Sequence, residues 1–179
     1  MVRSFPPIAS PRARILILGS MPGRASLAAR EYYAHPQNLF WPIVGALTGA
    51  HRELPYARRV RALAAAGIAL WDVLAACERD GSLDAAIDRA TLVPNDFGAF
   101  FARHRAIERV LFNGQMAAEC FRRHVEPALE ATLLARLAFV RLPSTSPANA
   151  SIGRARKQAE WQAAISGGRP RLSPVRAAS

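Results

Sequence analysis

Cysteine and lysine are scarce in this sequence of 179 residues, and long apolar segments are absent from it. The two cysteines, Cys77 and Cys120, are far apart and lack C-x-x-C spacing, which excludes a zinc site or an iron–sulfur cluster built on cysteine pairs. Each lies among apolar residues and is predicted to be a small core residue. The one lysine, Lys157, falls in a basic run that we expect to be solvated, and a Schiff-base mechanism would have to use it.

Several functional motifs are also missing. There is no G-x-G-x-x-G and no Walker-type loop, so binding of a dinucleotide or a nucleoside triphosphate has no motif behind it. There is no G-x-S-x-G elbow, so Ser20 and Ser144 lack the context of a hydrolase nucleophile. No apolar run is long enough to cross a membrane, and the first residues lack the apolar core of a signal peptide, which predicts a cytoplasmic protein.

Positive charge is in excess. The formal net charge is +11, and 23 of the 24 basic residues are arginine. Such an excess favours an anionic partner, with nucleic acid first. An arginine- and alanine-rich composition that reflects genomic base bias is the alternative explanation.

Short apolar runs alternate with helical patterns along the chain. We predict strands at residues 14–18, 68–73, 110–114 and 137–142, and helices at residues 38–47, 56–66, 96–104, 115–124 and 154–165, with a short helical turn within 84–90. This alternation predicts a three-layer α/β/α fold with a central, mainly parallel four-stranded sheet. We expect one domain over residues 14–166, a flexible arm at 1–13 and a disordered basic tail at 167–179.

Polar and aromatic residues crowd the loop after the first predicted strand. The turn at residues 19–23 contains two glycines and a proline, which allow its backbone N–H groups to face a ligand. Phe40 and Trp41 are predicted to be core residues. Tyr33, His35 and Asn38 have no packing reason to lie in such a loop, so they are candidates for binding or catalysis.

Three strand ends lead into polar loops that parallel strands would bring to one edge of the sheet. These are residues 19–23, 113–115 and 142–147. Together with the string His35-Pro36-Gln37-Asn38-Leu39-Phe40-Trp41, they resemble the uracil-DNA glycosylase superfamily over roughly residues 14–165. The pattern is most similar to the hypoxanthine-DNA (deoxyinosine) glycosylase branch, which is related to the mismatch-specific uracil glycosylases.

The residue at position 21 of the first loop distinguishes the two branches. Mismatch-specific enzymes carry Asn-Pro-Gly in the first loop, where that Asn positions the attacking water; here Met21 fills the slot. The hypoxanthine branch uses the Asn that matches Asn38. The resemblance therefore implies an enzyme of base excision repair that hydrolyses the N-glycosidic bond of deoxyinosine in DNA. Because Lys157 is the one lysine available, we expect this enzyme to be monofunctional and to leave an abasic site. The resemblance implies no cofactor and no metal, and we expect a monomer that does not associate with membranes.

The resemblance also assigns roles to the pocket residues. Asn38 would hold the water, with helix capping as its alternative role, and His35 would orient the loop, stabilise charge or make a structural hydrogen bond. Tyr33 would stack on the everted base while the backbone at Gly19, Ser20 and Met21 hydrogen-bonds its edge. Asn113 would read the base or cap the next helix, and Asp72 is a weaker candidate for the water.

The loop at residues 143–150 resembles a wedge that fills the vacated base stack. Pro147 and Ala148 would lie near its tip, and Ser144, Thr145 and Ser146 would donate to phosphates. An ordinary Ser/Pro turn is the alternative. Two rival functions remain at this point: uracil or other deaminated-base excision by the same fold, and damaged-DNA binding without chemistry.

Overall fold

A parallel sheet of four strands forms the centre of the computed structural model, which describes residues 1–81 and 87–167. The strands of the chain are β1 (Val2–Arg3), β2 (Ile15–Gly19), β3 (Ile68–Asp72), β4 (Leu74–Cys77), β5 (Val93–Pro94), β6 (Arg109–Asn113) and β7 (Ala138–Leu142). The central sheet has the order β3-β2-β6-β7 with every neighbouring pair parallel. A smaller antiparallel sheet has the order β1-β4-β5.

Helices cover both faces of the central sheet. They are α1 (Arg24–Ala29), α2 (Phe40–Thr48), α3 (Tyr56–Ala65), α4 (Phe97–Arg103), α5 (Gln115–His124), α6 (Ala131–Arg136) and α7 (Arg154–Ile165). Alternate residues of β2 point to opposite faces, as strand geometry requires. Ile15 and Ile17 pack with residues of α2, α3 and α7, whereas Leu16 and Leu18 pack with residues of α4 and α5. The predicted three-layer α/β/α fold is therefore confirmed.

The predicted strands and most of the predicted helices lie within two residues of the observed ones. Cys77 and Cys120 are buried in the α4/α5 side of the core, as predicted. The short elements β1, β4, β5, α1 and α6 were not predicted, because segments of two to six residues show too little periodicity. Part of the predicted turn at 84–90 and the tail from residue 168 lie outside the described residues. A short 3₁₀ helix occupies Arg89–Thr91.

The prediction of a flexible N-terminal arm is wrong. Val2–Arg3 pair antiparallel with β4, and Ile8 bridges to Leu70 of β3. The carbonyl of Phe5 accepts a hydrogen bond from Trp71 Nε1 at 3.1 Å. Because β3 is the edge strand of the sheet, its outer N–H and C=O groups need partners, and Ile8 of the arm supplies them at Leu70.

Lys157 also differs from its prediction. The residue is only 3% exposed, and its ammonium group donates a hydrogen bond to the carbonyl of Asn149 at 2.5 Å. Burial lowers the pKa of Lys157. The side chain thus bonds the loop that follows β7, and the basic run in the sequence does not mean that each of its members is solvated. Among the described residues, no helix has the length and apolar character needed to cross a membrane.

Candidate active site

The carboxyl ends of the four parallel strands meet at one edge of the sheet. Gly19 of β2 lies opposite Asp72 of β3, and Asn113 of β6 lies opposite Leu142 of β7. The loops after these strands therefore emerge on the same edge, as the sequence predicts. This edge is where open α/β sheets form their ligand sites.

Gly19 brings a carboxylate and a phenol to the first loop. A Cβ at this position would lie 2.5 Å from Asp72 Oδ1 and 3.0 Å from the hydroxyl of Tyr33, so only glycine fits there. Asp72 is 3% exposed, and its Oδ2 accepts a hydrogen bond from Ser4 Oγ at 2.7 Å. The structure thus gathers Gly19, Tyr33 and Asp72 at one point.

The first loop continues into buried backbone. Ser20 and Met21 are 8% and 7% exposed. The Met21 side chain packs into the apolar cluster that also contains Trp71 and Phe97. Because the thioether is turned into the core, Met21 can serve a ligand only through its backbone.

Tyr33 lies where its ring can form a wall of the site. Its φ angle is 55°, a left-handed conformation that is uncommon for a residue other than glycine. Its ring stacks on Phe40 with centroids 4.0 Å apart and planes inclined by 20°. Phe40 and Trp41 are core residues, as predicted. The Phe40 stack uses one face of the Tyr33 ring.

Asn38 lies at the start of α2. Its Oδ1 accepts a hydrogen bond from the N–H of Phe40 at 2.9 Å, and its own N–H donates to the carbonyl of His35 at 2.9 Å. Asn38 thus satisfies the first N–H of α2 from the residue before the N-cap, Leu39, and the capping role weighed for Asn38 is present in this form. The same bond fixes the half-buried amide next to the Tyr33–Phe40 stack.

His35 is exposed and makes a local hydrogen bond. Its Nδ1 accepts from the N–H of Gln37 at 3.2 Å, which is the structural alternative for this residue. Arg52, which the sequence analysis did not identify, donates to the carbonyls of His35 and Pro36 and so holds the loop from outside.

A second arginine supports the aromatic segment from below. Arg59 is 8% exposed and pairs with Glu31 at 2.8 Å. Its guanidinium lies 4.9 Å from the centroid of the Trp41 ring and 5.1 Å from that of Tyr56, which is the geometry of a cation–π contact. In the sequence, Arg59 is one of several arginines in a helix and carries no signal of burial.

The loop after β7 is bound to the end of β6. Asn113 Nδ2 donates to Thr145 Oγ1 at 2.9 Å, and the N–H of Thr145 donates to Asn113 Oδ1 at 2.8 Å. Thr145 is fully buried, so the prediction that its hydroxyl contacts a phosphate is wrong. Asn113 does not cap α5 through its side chain, because both of its polar side-chain atoms bond Thr145.

The rest of this loop is half-buried or exposed. Ser144 Oγ accepts from the N–H of Ser146 at 3.2 Å, and Ser146 Oγ accepts from the N–H of Ala148 at 3.3 Å. Pro147 and Ala148 are exposed at the tip. The arrangement offers a small exposed tip on a hydrogen-bonded base.

Charge and burial together raise the pKa of Tyr32, which precedes Tyr33 in the chain. Burial raises the pKa of Tyr32, and the nearby Asp72 carboxylate raises it further. The Tyr32 hydroxyl donates to the carbonyls of Phe5 and Pro6 at 3.4 and 3.3 Å. Within residues 1–81 and 87–167, no group of three or more His, Cys, Asp and Glu side chains is arranged to hold a metal ion.

Comparison with known proteins gives consistent matches. Residues 6–166 match the family described as the uracil DNA glycosylase superfamily. A hypoxanthine DNA glycosylase of Methanosarcina barkeri is 36% identical over 130 residues, which cover 72% of this chain and 78% of that protein. A hypoxanthine DNA glycosylase of Methanosarcina acetivorans is 33% identical over 162 residues, or 90% of this chain and 96% of that one.

A solved structure agrees with these matches. It is the solution NMR structure of a Methanosarcina acetivorans protein assigned provisionally as a uracil DNA glycosylase. It superposes with a TM-score of 0.74 at 32% sequence identity and covers 91% of this chain and 95% of that one.

Proposed function

The chain belongs to the uracil DNA glycosylase superfamily, and from this premise we infer that it is a hypoxanthine DNA glycosylase. It hydrolyses the N-glycosidic bond of deoxyinosine in DNA and leaves an abasic site. The activity is carried by the likeness to two hypoxanthine DNA glycosylases over most of the chain. The identity of Met21 supports it, because a thioether offers no oxygen to a water in the slot that holds Asn in mismatch-specific enzymes.

The reaction needs an everted nucleotide, a positioned water and donors for the leaving base. Extrusion costs a few kcal/mol and is easiest for a mismatched base. Water adds to C1′ of the sugar, the C1′–N9 bond breaks, and its electron pair leaves with hypoxanthine. The added water loses one proton to become the C1′ hydroxyl, and the anionic base gains one, which leaves both products neutral. The backbone N–H groups of Ser20 and Met21, which follow Gly19, are proposed to stabilise charge on the base, as donors do in an oxyanion hole. Stacking on Tyr33 would contribute about 1–3 kcal/mol.

Asn38 is the proposed water-positioning residue. A carbonyl oxygen has two lone pairs, and the N–H of Phe40 uses one of them. The second can accept from a water, while the cap keeps the amide from rotating. A neutral amide is a weak base, so its contribution is orientation, which can lower a barrier substantially. The bond between His35 Nδ1 and the N–H of Gln37 favours a loop-orienting role for His35.

DNA is proposed to lie along the carboxyl edge of the sheet. Pro147 and Ala148 would enter the vacated stack, and the hydroxyls of Ser144 and Ser146 would face phosphates. The formal net charge of +11 suits a polyanionic substrate. We also propose that the enzyme acts as a monomer in the cytoplasm, without a cofactor or metal.

Excision assays on Asn38 variants test the proposal. Wild-type protein is expected to release hypoxanthine from duplexes faster than uracil or xanthine under single-turnover conditions. Asn38→Ser keeps an oxygen that can cap α2 but is too short to hold the water. We expect it to lower the single-turnover rate at least about a hundredfold while the unfolding midpoint stays near that of the wild type.

The matched control is Gln37→Ala, because Gln37 is the exposed amide next to Asn38 in the same loop. It is expected to retain the wild-type rate. A near-normal rate in Asn38→Ser would rule out Asn38 and direct the test to Asp72. Absence of base release from every substrate by the wild type would instead support a DNA binder without chemistry.

A further inference from the structure

We propose that Asn113 and Thr145 form a clamp that positions Asn38 and couples it to the tip of the loop that follows β7. This proposal rests on the proposed function, since it assigns the clamp to the water-holding residue. Asn113 then acts as a positioning residue, which differs from the base-reading role predicted from its place at the end of β6.

The clamp is a pair of reciprocal hydrogen bonds between two loops. Asn113 Nδ2 donates to Thr145 Oγ1 at 2.9 Å, and the Thr145 N–H donates to Asn113 Oδ1 at 2.8 Å. Thr145 is fully buried. Both bonds have normal lengths, and Asn113 is half-buried, so breaking them leaves the polar groups of the fully buried Thr145 without these partners.

The backbones of the two loops also approach closely. Gly114 has a φ angle of 99°, and a Cβ there would lie 2.9 Å from Ser144 Cβ. Its N–H donates to the carbonyl of Leu142 at 3.0 Å. Trp161 Nε1 of α7 donates to the carbonyl of Pro143 at 2.9 Å. The base of the loop is therefore joined to both β6 and α7.

Thr145 connects directly to the Asn38 segment. Its carbonyl accepts a hydrogen bond from the N–H of Leu39 at 3.0 Å. Leu39 follows Asn38 and precedes Phe40, whose N–H fixes the Asn38 amide. A displacement of Thr145 therefore moves the backbone that carries the amide.

Thr145 also borders the exposed tip of its own loop. Ser146 follows it, and Pro147 and Ala148 come next. The same residue is thus bonded to the Asn38 segment on one side and covalently linked to the tip on the other. When DNA displaces or orders the tip, the position of the Asn38 amide changes with it.

Two threonine variants separate this coupling from simple support. Thr145→Val keeps the side-chain shape but removes the oxygen that accepts from Asn113. Thr145→Ser keeps that oxygen and is the conservative control. Pro147→Gly alters the tip without touching the clamp. Asn113→Ala removes both clamp bonds and is included if its unfolding transition stays cooperative.

The first readout is spectroscopic and independent of activity. In ¹H–¹⁵N spectra the side-chain NH₂ signals of Asn38 are assigned by their loss in Asn38→Ser. They are expected to shift in Thr145→Val and to keep the wild-type position in Thr145→Ser. Unchanged Asn38 signals in Thr145→Val would overturn the proposal whatever the enzyme does to DNA.

The second readout is the single-turnover rate of excision on two substrates. One carries hypoxanthine in a base pair, and the other carries it in a one-base bulge, where extrusion is easier. Thr145→Val is expected to lose about tenfold to a hundredfold in single-turnover rate on both substrates. Pro147→Gly is expected to lose more on the paired substrate than on the bulge. A full rate of Thr145→Val on the bulge would overturn the proposal, since the clamp would then serve only the tip. Failure of the wild type on both substrates would count against the proposed function instead.

Discussion

Asn38 combines an observed contact with helix α2 and a proposed role in the reaction. The bond from the Phe40 N–H caps α2, and the same bond limits the amide to one orientation. Capping and the proposed water-holding role are therefore compatible, because they use different lone pairs of one oxygen. Tyr33 is fixed in a similar way by its stack on Phe40.

Tyr32 gives a prediction about alkaline pH. Its pKa is raised by burial and by Asp72, so above about pH 10 the unfolded chain loses the phenolic proton while the folded protein retains it. The folded state then binds more protons, and the free energy of unfolding falls as pH rises. We expect Tyr32→Phe to reduce this fall between about pH 9 and pH 11, measured by urea unfolding.

The comparison uses the slope of stability against pH, because Tyr32→Phe also loses the hydrogen bonds to Phe5 and Pro6. Burial also raises the pKa of Tyr56. Tyr56 and Lys157 are present in both proteins, so they contribute equally to the two slopes. Parallel curves for the two proteins would contradict the prediction.

Among the elements, the N-terminal arm differs most from its prediction, because it pairs with two strands. It covers the edge of β3 and brings Ser4 to the buried Asp72. A buried carboxylate requires hydrogen-bond donors, and Ser4 supplies one of them. The arm is thus part of the structure that supports the candidate site.

Removing the Ser4 hydroxyl tests this contribution. Ser4→Ala is expected to lower the free energy of unfolding by about 1–3 kcal/mol, because the bond is to a buried carboxylate. Ser10→Ala is the control within the same arm, since the Ser10 hydroxyl makes only a long bond of 3.5 Å to Ala64. Its effect should stay within about 0.5 kcal/mol. Equal effects of the two variants would refute the role of Ser4.

The strands of the central sheet and the long helices were predictable from local pattern. Helix α7 begins and ends at the predicted residues because its flanking glycines mark both ends. The pairing of Val2 with Cys77 was not predictable, since nothing in a two-residue strand signals a distant partner. Polar loops at three strand ends located the site, and the resemblance singled out Asn38.

Other site features depend on contacts that the sequence does not encode locally. Arg59 and Lys157 are buried, although their basic neighbours predict solvated surface. Thr145 was predicted to contact DNA because its loop resembles the wedge that fills the vacated base stack. Its bonds to Asn113 arise only when β6 and β7 lie side by side.

For the whole molecule, net charge predicts how DNA binding responds to salt. A protein that neutralises four phosphates should lose about a hundredfold in affinity between 50 and 200 mM salt. We expect the affinity of Asn38→Ser for a hypoxanthine duplex to fall by at least this factor, measured by fluorescence anisotropy. The single-turnover rate of the wild type at saturating enzyme should change far less.

Pro147→Gly is a useful reference in the same titration. Its proposed contact is with the base stack, so it should weaken binding without changing the slope of log affinity against log salt concentration. If the DNA affinity of Asn38→Ser did not change with salt concentration, this would argue against a phosphate-binding surface.

The place of the arm in the small sheet has a consequence for synthesis. Val2 leaves the ribosome long before its partner Cys77, because the two are far apart along the chain. Strand β1 therefore cannot pair with β4 until both residues have emerged. During translation the arm must wait, unpaired, for the strands that will hold it.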